Sequence, residues 1–171
     1  GEKDLAHVRV IGAEAFMECE GLTQINMPQG VLEIKDQAFA HCSALTVVNI
    51  PNSVTNIGAA SFSLCALETV IIPDSVKTIG EAAFYACSNL TSINIPNKVL
   101  HLSESIFDGC ENLAEVRLSK GVTSIGGSAF DHCESLTSID IPHGVKHIDY
   151  DAFALCKRLD TVNIPDTVTS I

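Results

Sequence analysis

Cysteine and histidine offer the most chemistry in this sequence, with seven Cys and six His in 171 residues. Cys19, Cys42, Cys65, Cys87, Cys110, Cys133 and Cys156 recur every 23 residues with one step of 22, each three places after a Phe. Thiols could form disulfides, ligate zinc or act as nucleophiles. The spacing argues against all three. The count is odd, and equivalent cysteines on stacked turns would lie roughly 4.8 Å apart with parallel Cβ vectors, whereas a bridge needs Cβ atoms converging to about 3.8 Å. No Cys-x-x-Cys pair exists to hold a metal or run a redox cycle. The cysteines are expected to be free and buried, packing as small apolar side chains.

Histidines are scattered. His41 and His132 each precede a Cys, so an inward Cys turns them to solvent. The one concentration is Asp140, His143, His147, Asp149 and Asp151, where two imidazoles and a carboxylate could share a divalent ion. His143 and His147 flank Gly144-Val145, in a turn and a strand rather than on one helix face, which favours a solvated acidic edge. Signatures of hydrolases, phosphate loops, dinucleotide sites and metalloproteases are absent from the sequence. Gly126-Gly127-Ser128 reads as an ordinary turn, and the glycosylation-like Asn89-Leu90-Thr91 follows from the repeat's own letters. No catalytic, metal or cofactor residues are assigned, and no enzyme activity is expected.

Composition narrows the partners. Ten Lys and Arg against 21 Asp and Glu give a net charge of −11, leaving no basic face for nucleic acid or an anionic membrane. Apolar residues make up 46% of the chain, enough for a core, and aromatics only 5%, too few for a stacking platform. No run approaches the ~18 apolar residues of a spanning helix. Gly1-Glu2-Lys3-Asp4 lacks the basic, then apolar, start of a secretory signal.

The elements that position these residues come from the repeat. Phe recurs at 16, 39, 62, 84, 107, 130 and 153, and the one short step is explained by Cys65-Ala66-Leu67, where other copies have Cys-x-x-Leu. Each of the six prolines follows an Ile or Met, and the fifth copy has Leu118-Ser119 instead. Such a period marks a solenoid. Leu90-Thr-Ser-Ile-Asn-Ile95 and its equivalents read as a short strand with one buried face, ended by Pro. Val54-Thr-Asn-Ile57-Gly58 and its equivalents read as a second short strand. Glu81 to Cys87 is too short for a stable α-helix and is expected to make a single helical or 3₁₀ turn with Phe and Cys inward. Stacking gives a parallel sheet on a rod on the order of 35 Å long. Phe84, Cys87, Phe107, Cys110, Phe130 and Cys133 are expected to be structural.

The motif Ala-Phe-x-x-Cys-x-x-Leu-Thr-x-Ile-x-Ile-Pro-x-x-Val-x-x-Ile-Gly, nearly whole from Ala83 to Ile95 and again from Ala129 to Ile148, closely resembles the BspA-like leucine-rich repeat family, Treponema-type surface proteins included. The resemblance runs from Val8 to Ile171. It implies a leucine-rich-repeat solenoid of the α/β horseshoe class, strand-rich and right-handed, with about seven turns in one domain over residues 1–171. It also implies a cell-surface or secreted binding module, with adhesion to a protein partner such as host extracellular matrix. A structural spacer presenting another domain is the alternative. The chain stops at Ile171 within another Val-x-x-Ile-Gly element, so a section of a longer array with sticky, self-associating ends is expected. Departures are Ser119 for Pro, Leu102-Ser103 for Ile-Gly, and Ile106 for Ala or Ser, which point to an irregular fifth turn.

Binding is then expected on the outward face of the first strand, at the third and fifth places of each copy. These are mostly small and polar, and the charged interruption falls at Glu115, Arg117 and Lys120. Ser92, Asn94, Glu115, Arg117, Ser138 and Asp140 are the candidate ligand-binding residues. Arg117 and Asp140 hold matched positions on adjacent turns and are expected to be able to pair.

Overall fold

The computed structural model describes residues 7–171. The start at Gly1 to Asp4 lies outside the described residues. Seven copies of the repeat stack as a solenoid of short parallel strands, and no α-helix occurs among the described residues.

The first strand of the repeat gives β2 (Gln24–Asn26), β4 (Val47–Asn49), β7 (Ser92–Asn94), β9 (Glu115–Arg117), β11 (Ser138–Asp140) and β13 (Thr161–Asn163). The second gives β1 (Val10–Ile11), β3 (Glu33–Ile34), β5 (Asn56–Ile57), β6 (Thr78–Ile79), β8 (His101–Leu102), β10 (Ser124–Ile125) and β12 (His147–Ile148). Every pairing is parallel and joins residues one repeat apart, as in Ser92↔Glu115 and Asn94↔Arg117. In each triplet the middle side chain points inward, as Val48, Ile93 and Ile139 do, and its neighbours face out.

The core is a column. Phe39, Phe62, Phe84, Phe107 and Phe130 are fully buried, and consecutive rings from Phe16 to Phe153 stack nearly parallel with centroids 5.1 to 5.6 Å apart. Parallel rings at that distance are offset, the arrangement that their quadrupoles favour.

The segment around each Phe is not a helical or 3₁₀ turn. Gln37, Phe39 and His41 donate their N–H groups to Ala59, Ser61 and Ser63 of the next turn, while Ala38, Ala40 and Cys42 donate three residues back. A 3₁₀ turn would direct every N–H along its own axis. Here left-handed residues four apart, Gln37 and His41 in this copy and Ala82 and Ala86 two copies on, flip alternate peptides into the stacking direction. The cost of positive φ at non-glycine residues is offset by a backbone ladder beneath the Phe column.

The sheets are less continuous than the column. Glu68 to Ile72, in the 22-residue copy, forms no strand and separates β4 from β7; a second break between β9 and β11 leaves the first sheet as the pairs β2–β4, β7–β9 and β11–β13. The second sheet runs β1–β3–β5–β6, stops, and resumes as β8–β10–β12. At that stop the Ile79 carbonyl accepts the Ser103 hydroxyl at 2.6 Å. At other steps the equivalent carbonyl, on Ile34, Ile57, Leu102 or Ile125, accepts a backbone N–H. The sequence departure at Leu102-Ser103 thus coincides with a structural break. The fifth copy itself is regular in its second strand, β10, and is irregular only in that β9 does not pair with β11.

Candidate functional site

All seven thiols are free, and only Cys19 is exposed. They do more than pack: Sγ of Cys42, Cys65, Cys87, Cys110, Cys133 and Cys156 each donates to the carbonyl of the Phe one turn earlier, at 3.0 to 3.3 Å. That Phe carbonyl also accepts the Cys N–H of its own turn, as Phe39 does from Cys42. A thiol fills the second acceptor site of a buried carbonyl where an apolar residue would leave it bare. Burial pushes the Cys87 thiol up to about 12 and the Cys156 thiol to about 11, against the lowering effect of the hydrogen bond. Such thiols are inert.

Among the histidines, His143 and His147 are not brought together. His143 Nδ1 lies 3.7 Å from Asp166, and His147 Nδ1 is 2.8 Å from the Ser170 hydroxyl. The clustering occurs elsewhere. Asp108 and Asp131 occupy equivalent places on adjacent turns, and His132 Nδ1 sits 3.0 Å from Asp131 and 3.7 Å from Asp108. Desolvation, then the Asp131 charge, raises the pKa of Asp108, and His132 opposes the rise. Reading the repeat as columns would have found the two aspartates, which are separated by one period. Gly127 is likewise more than turn punctuation: an added Cβ would lie 2.5 Å from the Tyr150 ring, which crosses it to donate its hydroxyl to Glu104 at 2.7 Å.

The candidate binding residues lie on the outer face of the first sheet. Its fifth-place column is a ladder in which Asn49 donates its amide to Asn26 and Asn163 donates to Asp140 at 2.6 Å. Asp140 is therefore committed to the ladder and does not pair with Arg117. Arg117 instead lies 3.9 Å from Glu115 of its own strand, and both side chains are more than two-thirds exposed. Asn94, directly opposite Arg117, makes no side-chain hydrogen bond among the described residues. Ser92, Asn94, Glu115 and Arg117 together line a shallow depression of about 180 Å³. Ser138, opposite Thr161 on the next pair, lies outside it. Ile71, in the strandless copy, interrupts the same column and is 83% exposed.

Comparison with known proteins follows this geometry. A family model described as a BspA type leucine rich repeat region matches in six copies over residues 9–120 and 55–171. A leucine-rich repeat protein from Bacteroides ovatus is similar at 32% identity and TM-score 0.78, over 95% of this chain and 48% of that one. The T. pallidum leucine rich repeat protein is similar at 27% identity and TM-score 0.82, over 94% of this chain and 73% of that one. One from Eubacterium ventriosum is 29% identical with TM-score 0.79, covering 94% here and 42% there. The chain thus spans about half the length of the B. ovatus protein. No curated protein matches the sequence.

Proposed function

Because the chain belongs to the BspA-type leucine-rich-repeat family, we propose that it is a non-enzymatic protein-binding module of a cell-surface or secreted protein. Its partner is a macromolecule such as a host extracellular-matrix protein, engaged by the first-sheet face at Ser92, Asn94, Glu115 and Arg117. One observation carries this placement. The ladder groups of β2–β4 and β11–β13 satisfy each other, whereas those of β7–β9 stay available to a ligand around a depression. Exposed Arg and amide groups beside a concavity are the kind of group that anchors a protein interface. Repeat solenoids present such faces as extended binding surfaces.

The test is binding of the chain to immobilised matrix proteins in physiological salt. Saturable binding is expected, weakened by about 2 kcal/mol or more in Asn94→Ala/Arg117→Glu and unchanged in Asp140→Asn. Binding unaffected by the double variant places the interface elsewhere. Absence of binding to the whole panel leaves the spacer role.

A further inference from the structure

The break in the second sheet opens a cleft of about 620 Å³ between β6 and β8, on a different part of the surface from the proposed interface. Its walls include Lys77, Ile79, Lys98, Leu100, His101 and Ser103. Three features distinguish it. First, backbone groups that pair at other steps are left without partners: Thr55 and Leu100 carbonyls accept from Lys77 and Thr123, but the Lys77 carbonyl accepts nothing and the Leu100 N–H donates to nothing among the described residues. Second, Ile79 and Leu100 give the cleft an apolar floor and wall, with Leu100 47% exposed. Third, on a chain of net charge −11, the lining holds two lysines and a histidine and no carboxylate. Neither lysine has an ion-pair partner among the described residues. Glu104, next in sequence to Ser103, accepts the Tyr150 hydroxyl at 2.7 Å and is not part of the lining.

An unpaired acceptor and an unpaired donor at a sheet edge match the main chain of an extended peptide, the apolar wall accepts alternate side chains, and the lysines demand negative charge. We propose that this cleft binds an extended acidic peptide segment of a partner protein, its backbone hydrogen-bonded to Lys77 C=O and Leu100 N–H and its carboxylates neutralised by Lys77 and Lys98. His101 contributes to the rim, with its Nδ1 held 2.8 Å from the Ser124 hydroxyl. The site is independent of the first-sheet interface, so either can fail alone.

The experiment titrates the chain into a fluorescein-labelled Val-Glu-Val-Glu-Val peptide, with Val-Lys-Val-Lys-Val, a backbone N-methylated acidic peptide and octanoate as comparisons. Saturable binding of the acidic peptide is expected. It should weaken about tenfold or more in Lys77→Glu/Lys98→Glu and about tenfold on N-methylation, and stay unchanged in Asn94→Ala/Arg117→Glu. Both lysines are exposed, and an unchanged melting temperature verifies that the reversed pair still folds. No saturable acidic-peptide binding up to millimolar concentration overturns the proposal. So does equal affinity for the basic peptide, indifference to the charge reversal, or competition by octanoate with no effect of N-methylation, the last identifying a small-carboxylate site instead.

Discussion

The Phe side of the solenoid and its two sheets respond differently to the same sequence irregularities. The ring column and the turn ladder beneath it cross the 22-residue copy without interruption: Phe62 and Phe84 stay stacked at 5.6 Å, and Phe62 still donates to the Ala83 carbonyl. Both sheets break around that copy, the first at Glu68 to Ile72 and the second after β6. The difference is one of redundancy. Each turn segment is fixed by a ring, a thiol and three inter-turn N–H bonds, whereas each strand offers two or three residues whose pairing a single hydroxyl can capture. Available binding groups sit where the redundancy is least.

The strongest way to break the contrast is Phe84→Ala, which opens a cavity in the middle of the column. A loss of about 3–5 kcal/mol is expected in chemical denaturation, with a shallower transition as the two halves uncouple. Thiol labelling sharpens it next. In the native chain Cys19 should react at once, while Cys87 and Cys110 should react at least about a hundredfold more slowly, since their reaction needs local unfolding. Equal rates would mean that the column opens as readily as its end. Ser61 tests the column from the other direction: it is fully buried, its hydroxyl has no partner, and Ala occupies its place in five other copies. Ser61→Ala should stabilise by about 1 kcal/mol.

The smallest effect belongs to Asp108, just outside the column. Its pKa is raised in the fold, chiefly by burial, so the stability tied to its protonated form is complete below the unfolded carboxyl range and lost as pH rises through the folded value. Asp108→Asn should therefore be more stable than the parent at pH 7 by under about 1 kcal/mol, with the gap closing toward pH 3. A gap that widens at low pH would show that Asp108 is held instead by its contact with His132.

Much of the repeat was legible in the letters. The Phe and Cys periods put a buried column on the page, the Ile/Val alternation located both strand sets, and Cys65-Ala66-Leu67 marked the short copy. The turn segment is less legible: Glu81 to Cys87 carries no glycine to announce positive φ, yet Ala82 and Ala86 both adopt it. At the site, matched positions allow Arg117 and Asp140 to pair, but the parallel ladder also offers Asp140 the amide of Asn163 on its other side, and that is the contact formed.

By itself the sequence determined the period, the buried faces and the identity of the core, because a repeat too small to bury its own apolar face can only stack. The tertiary structure alone decided which steps of the ladder close. That depends on differences between neighbouring turns: whether a carbonyl meets a backbone N–H or the Ser103 hydroxyl, and whether an Asn amide meets an amide or carboxylate oxygen on the next turn. Those outcomes are set by which donors adjacent turns bring to each acceptor, which no single copy of the repeat encodes.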